Sequence, residues 1–399
     1  MNHRERTLAV LNYQSYDRLP ILHFGFWDET LAKWADEGHI SRKDAEEWED
    51  GNAADRRITK VLGFDANWAM TLGADLGLDP PFEKQLLEEL PDGGRKVLDE
   101  NGAIILEKPG VRSIPHEFDH LLKDRASWEE VYKPRLQWNR ERFYRAMRRL
   151  LLEAGEALQM PTQKLSVERV TPMIRNMLLD AAKRRGMLMG VWCGSMYGKI
   201  RDYLGLVGLS YLLVDDPALV EEMIETVGEL CYQGVKATLE GGLVLDFGHF
   251  WEDICYRAGP LVNPKYFKAK VGPQYRRITD LLNSYGIHIV SLDCDGKIDA
   301  LIPTWLENGV NTMFPIEVGV WGASIKPWRE KYGRELRGIG GTDKRVFARD
   351  YAAVDAEVER LRPLVDLGGY IPCVDHRIPP DAEWKNVQYY CERMRKVFE

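Results

Sequence analysis

The chain of 399 residues has no run of eighteen or more consecutive apolar residues, so no membrane-spanning helix is expected. Its charged opening lacks the apolar core of a secretory leader, which points to the cytoplasm. Cysteine is sparse. Cys193, Cys231, Cys255, Cys294, Cys373 and Cys391 are scattered, and none has Cys-x-x-Cys spacing. In a reducing compartment they read as free thiols or ligands rather than a disulfide frame. Positive charge is in deficit: 54 Lys and Arg stand against 62 Asp and Glu, a net charge of −8. That argues against sequence-blind nucleic-acid binding, which needs a basic face. No Gly-, Ser- or Pro-rich linker, low-complexity tract or repeat divides the chain, so residues 1–399 read as one domain. Ser-His-Asp catalysis lacks its Gly-x-Ser-x-Gly elbow. The glycine-rich stretch 338–343 lacks the strand–glycine loop–helix form of a phosphate site.

What is present is alternation. Residues 4–13 have helical character, and 19–26 is an apolar run opened by Pro20 that reads as a buried strand. Residues 28–62 are charged and mostly helical by period, and 63–74 is a second apolar run. Asn101-Gly102 lies between two alternating runs at 95–107, a hairpin signal in which both turn residues would take positive φ. Segment 115–160 is charged and reads as largely helical. From about residue 165, short apolar runs alternate with helical ones. The runs lie at 186–194, 241–250, 286–296, 310–319, 335–343 and 368–376. Such alternation means βα units and a parallel sheet. Two early strands and six later ones make eight. The expected fold is therefore an α/β (β/α)8 TIM barrel, with the hairpin and helices of about 90–160 as an insertion.

In that architecture chemistry sits at the C-terminal ends of the strands. The residues there are Trp27 and Asp28; Trp192 and Cys193; His249 to Asp253, which include Trp251 and Glu252; Asp293, Cys294 and Asp295; Glu317; Asp343 and Lys344; Asp375 and His376. Any one of these aspartates can equally be a helix N-cap, and each tryptophan can be core. As a group they are harder to dismiss, because barrel closure brings Asp293, Asp295, Glu317, Asp375 and His376 around one mouth. Carboxylates that share a cleft repel one another unless a cation or shared protons neutralise them. His, Cys and carboxylate together suit zinc, whereas a proton-sharing carboxylate pair suits acid–base work.

These residues lie in segments that resemble the uroporphyrinogen decarboxylase superfamily, which uses a (β/α)8 barrel and includes tetrapyrrole decarboxylases and corrinoid-dependent methyltransferases. The matching pieces are RERTLAVLNYQSYDRLPI, DCDGKIDALIPTWLENGVN, FPIEVG, LRGIGGTDKR and GGYIPCVDHRIPPDAEWKNVQYY, so the likeness runs nearly end to end. Two departures matter. The decarboxylases carry an arginine-rich signature after the first strand, whereas this chain reads HFGFWDETLAKW there, with no arginine. A polycarboxylate tetrapyrrole needs cationic partners. The coenzyme M methyltransferases of the superfamily hold zinc through a His-x-Cys pair and a later Cys. The resemblance puts Asp293 and Asp295 at the pair, Cys373 at the later position and Glu317 at a ligand position of related zinc enzymes.

The resemblance thus implies a methyltransferase-like branch. Its expected substrate is a small-molecule methyl donor, a methoxylated aromatic being the class that tryptophans would stack on (O-demethylation). Its expected methyl acceptor is a cobalamin-bearing corrinoid protein partner. Zinc would be held by Asp293, Asp295, Glu317 and His376 with Cys373, and His376 could instead be the general acid. Trp27, Asp28, Trp192, His249, Trp251 and Glu252 are the expected substrate contacts, and family precedent suggests a homodimer. The alternative is a decarboxylase of a tetrapyrrole or another small acid. That would need a ring of Arg or Lys at the mouth, from Arg201, Arg257, Lys297, Lys344 or Arg377. A non-enzymatic binding barrel would instead have a plugged mouth.

Overall fold

Short apolar runs and longer amphipathic ones separate into strands and helices as their lengths dictate. A computed structural model describes residues 1–108, 116–158, 167–180 and 186–399. Its main sheet is formed by β1 (Leu22–His23), β2 (Ala66–Asn67), β3 (Thr71–Leu72), β8 (Gly190–Gly194), β9 (Phe247–Trp251), β12 (Val290–Asp293), β13 (Thr312–Phe314), β14 (Arg337–Thr342) and β15 (Tyr370–Val374). The order is β2-β1-β15-β14-β13-β12-β9-β8-β3, and every pairing is parallel. The result is a mixed α/β architecture with a curled nine-stranded parallel sheet. Fully buried Leu22, Val191, Phe250, Leu292, Met313, Ile339 and Ile371 run through it, as expected for strands covered on both faces.

The two edges of this sheet, β2 and β3, are consecutive pieces of one stretch of chain separated by residues 68–70. The Trp68 N–H donates to the His23 carbonyl at 3.0 Å, and the Gly190 N–H donates to the Met70 carbonyl at 3.2 Å. The apolar run expected as one strand at 63–74 is therefore split. Its first half pairs with β1 and its second with β8.

Between β3 and β8 lies a separate antiparallel sheet of β4 (Gln85–Glu89), β5 (Arg95–Leu98), β6 (Ala103–Glu107) and β7 (His116–His120). The hairpin expected at Asn101-Gly102 is there, but its turn differs. Only Gly102 takes positive φ, at 84°. The Asp99 carboxylate accepts from the Asn101 and Ala103 N–H groups at 2.9 and 2.8 Å. This is a three-residue loop whose left-handed glycine closes the turn. His116–His120 is strand rather than helix, because pairing with β6 outweighs a weak and highly charged local signal. Residue 115 and residues 159–160 of that expected helical segment lie outside the described residues. Helices Arg140–Leu158 and Val167–Asp180 follow and build a second apolar cluster of Phe143, Met147, Ile174 and Leu178 against Leu72 and Ala74.

The remaining helices connect the parallel strands. The run expected as one helix over 202–238 is two, Gly198–Asp215 and Pro217–Glu240. Asp216 caps the second by accepting from the Leu219 N–H at 3.0 Å, and Pro217 occupies its first turn. Among the described residues no single helix is long and apolar enough to cross a membrane.

Candidate functional site

Register places the acidic groups. β9 and β12 run side by side with Trp251 opposite Asp293, and the Glu252 N–H donates to the Asp293 carbonyl at 2.9 Å. The two residues beyond each strand therefore lie abreast as well. The Asp253 carboxylate accepts the Asp295 N–H at 3.0 Å. Carboxylate oxygens of Asp253, Asp293 and Asp295 all lie within 4.8 Å of one another. Asp253 takes left-handed backbone, φ 44°, an uncommon conformation for a residue with a side chain.

Two further strand ends reach the same place. Glu317, after β13, accepts the Gly296 N–H at 2.5 Å. His376, after β15, puts Nε2 3.1 Å from an Asp295 oxygen and stacks its ring on Trp27, with centroids 5.3 Å apart. Asp375 ties the rim together by accepting from the Val318, Gly319 and Lys344 N–H groups at 3.0, 2.9 and 3.1 Å.

The electrostatics are those of crowded, half-dried carboxylates. Burial first, and the neighbouring Asp295 second, push Asp253 up to about 6 and Glu317 up to about 7. Asp293 is driven well above the usual carboxylate range by burial and then by Asp253 and Asp295. Near neutrality these groups share protons unless a cation replaces them.

A cleft of about 580 Å³ opens past the ends of β3, β8 and β9 and adjoins the acidic group through Trp251, which stands opposite Asp293; none of Asp253, Asp293, Asp295, Glu317 or His376 lines it. Trp192, Trp251, Leu72, Ser195, Lys199 and Asp50 are among its walls. The Arg377 guanidinium is held by Asp50 at 2.7 Å, and Arg201 is held by Asp202 at 2.9 Å.

Asp293, Asp295, Glu317 and His376 are thus brought together, with Trp27 against His376 and with Trp192 and Trp251 on the cleft wall. Four expected site residues are not part of this group. Cys373 is fully buried within β15 and, among the described residues, is not in the group of ligand-capable atoms. Glu252 is an anchor. Fully buried, it accepts from the Met196, Tyr197 and Gly198 N–H groups at 2.8, 3.0 and 2.6 Å and from the Tyr275 hydroxyl. It thereby satisfies the free donors at the start of helix Gly198–Asp215. His249 packs inside the sheet between Phe247 and Phe314, with Nδ1 2.7 Å from the Ser291 hydroxyl, and burial pushes it down to about 3. Asp28 is exposed in the first turn of helix Asp28–Asp36, a favourable place for a negative charge.

Asp253 is the residue that sequence reasoning passed over as a ligand. A signal existed: WED after β9 aligns with DCD after β12 once the two strands are set in parallel register.

The zinc set implied by the resemblance is Asp293, Asp295, Glu317 and His376 with Cys373, and the donors that meet here are its carboxylates and imidazole, without the thiol. Buried polar atoms without partners mark the spot, namely Asp295 Oδ1 and His376 Nδ1. The Asp253, Asp293 and Asp295 group can hold a metal ion, but not through sulfur.

No family model matches the chain, and no curated protein matches its sequence. Solved structures do. A methyltransferase from Methanosarcina mazei aligns over 100% of this chain and 99% of its own, with TM-score 0.59 and 15% identity. Two looser likenesses are to a B12-independent methionine synthase from a Shewanella species and to a putative one from Listeria monocytogenes. The first has TM-score 0.37 and 10% identity, over 55% of this chain and 67% of its own. The second has TM-score 0.33 and 9% identity, over 63% and 94%. The chain therefore shares, from end to end, the fold of that solved methyltransferase.

Proposed function

We propose that the chain is a methyltransferase that takes a methyl group from a small donor and passes it to a corrinoid carried by a partner protein, with methoxylated aromatics as the donor class. The observation that carries this reading is the convergence of Asp253, Asp293, Asp295, Glu317 and His376 on one mouth beside a cleft walled by Trp192 and Trp251. In the same reading residues 1–399 form one (β/α)8 barrel, closed where residues 66–72 bridge β1 to β8, with about 90–160 as an insertion.

The residues have defined work. A flat aromatic donor seats against the indoles, which offer large apolar faces. Breaking the methyl–oxygen bond leaves charge on the departing oxygen. A carboxyl that still holds its proton near neutrality, as Glu317 does, donates that proton to the oxygen. His376, fixed between Trp27 and Asp295, keeps the rim in place. The bound corrinoid supplies the reduced cobalt that accepts the methyl group. Zinc, the ion expected from the resemblance, would find the carboxylates of Asp293, Asp295 and Glu317 and the imidazole of His376 here, and when bound would supply a Lewis acid.

The alternative, decarboxylation of a tetrapyrrole, is disfavoured by the cations. Arg377 and Arg201 are already paired, and Lys344 lies where its charge acts on Glu317 and Asp375. A plugged binding barrel is disfavoured by the open cleft.

The test is to incubate the protein with Co(I) cobalamin and a panel of methoxylated aromatics and to follow methylcobalamin by absorbance. At least one donor should react, and Glu317→Gln should slow it by about 100-fold, the scale of a lost general acid. No methylcobalamin across the panel, with an intact fold, would overturn the reading.

A further inference from the structure

Three aspartates on two neighbouring strand ends crowd their carboxylates within 4.8 Å, and among the described residues no cationic side chain is bonded to any of them except His376. Arg377, whose charge acts on Asp293, has its guanidinium on Asp50. Asp293 is only 8% exposed, and no hydrogen bond reaches its carboxylate among the described residues. Asp295 Oδ1 is buried without a partner. A buried carboxylate oxygen in this state, beside two further carboxylates, asks for a ligand that supplies positive charge at short range.

Sulfur is not offered. Cys294 lies between the two aspartates in sequence, so strand alternation turns it to the opposite face. There its thiol meets Cys255 and reaches the Asp295 carbonyl at 3.5 Å. Cys373 is fully buried within β15 and, among the described residues, outside the acidic group.

We infer that Asp253, Asp293 and Asp295 form an oxygen-only site for a hard divalent cation of the Mn²⁺, Mg²⁺ or Ca²⁺ class, in place of a thiolate-bound zinc. Carboxylate oxygens are the donors such ions take, with water completing the shell. His376 is then a positioning residue, because its Nε2 holds the second oxygen of Asp295 and fixes how that carboxylate faces the ion. The ion's catalytic meaning rests on the reading of this mouth as a methyltransfer site. Its binding does not, and can be measured with neither donor nor corrinoid present.

The experiment uses the full chain stripped with chelator. Mn²⁺ should bind at one equivalent by electron paramagnetic resonance and raise the melting temperature. Asp253→Asn and Asp293→Asn should each weaken binding by at least about tenfold. Both variants should keep the wild-type circular dichroism without metal, and that result shows they fold. Co²⁺ should give no thiolate charge-transfer band, and Cys373→Ala should bind Mn²⁺ as wild type does. Absence of Mn²⁺ binding, binding unchanged in both variants, or a sulfur band with Co²⁺ would each overturn the inference. Methylcobalamin formation without Mn²⁺ binding would overturn it and leave the proposed function standing.

Discussion

A single buried side chain can decide how the molecule responds to acid. His23 is fully buried, with Nδ1 accepting the Gly25 N–H at 2.9 Å and Nε2 2.8 Å from the Thr59 hydroxyl. Burial pushes it down to about 3. In the unfolded chain an imidazole titrates near 6.5. Below that pH the unfolded state takes up a proton that the folded state refuses, so stability is complete above about 6.5 and falls as pH drops toward 3. At pH 5 one such histidine costs about 2 kcal/mol. The raised carboxyls of the mouth act in the opposite direction over part of that range, so the comparison must be between variants. His23→Gln should show a shallower loss of denaturant midpoint between pH 7 and pH 5 than wild type. Equal slopes would remove His23 as a cause. The same scale holds the clearest contrast between text and structure. Glu252 and Asp253 are adjacent acids, yet one anchors a helix start and the other faces the mouth.

At the scale of elements, the site depends on two loops lying flat against each other. Gly296 has φ 86°, and a side-chain carbon there would sit 2.7 Å from the Cys255 backbone carbonyl. Only glycine fits both the backbone and the space. Gly296→Ala should therefore lower stability by about 1–3 kcal/mol. It should also push the Asp253 loop away from Asp295 and so weaken Mn²⁺ binding together with the urea midpoint. If stability falls while Mn²⁺ binding stays the same, the link between loop packing and the acidic group is wrong. Elements were well marked in the sequence wherever an apolar run was flanked by helical pattern, as at 290–293 and 370–374. They were poorly marked where pairing decided the matter. HEFDH at 116–120 carries no strand signal of its own and is strand because β6 offers an edge.

Across the whole molecule, the curled sheet has one weak place. Most ladders join strands directly, but residues 68–70 separate the two edge strands, and one N–H bond on either side of that gap ties it to its neighbours. Local opening follows the density of such bonds. Hydrogen exchange should therefore be faster at residues 68–70 than in β12 and β14, which are paired on both sides. Equal protection would mean that this seam is as firm as the rest. Trp68, fully buried and stacked on Phe247 at 4.2 Å, limits how far it opens.

The alternation of short apolar and longer amphipathic runs determined where the strands lie and that they run parallel, though the run at 63–74 holds two short strands rather than one. Burial on both faces imposes that pattern locally, so it is written in the chain itself. The acids and tryptophans at strand ends were legible for the same reason. Which of them meet was not. Asp253 joined Asp293 and Asp295 through the register of β9 against β12, Glu252 was taken up by the backbone of a distant helix, and Cys373 was buried within β15. Side-chain direction beyond a strand's end depends on what the neighbouring loops offer, and those neighbours are far away in sequence.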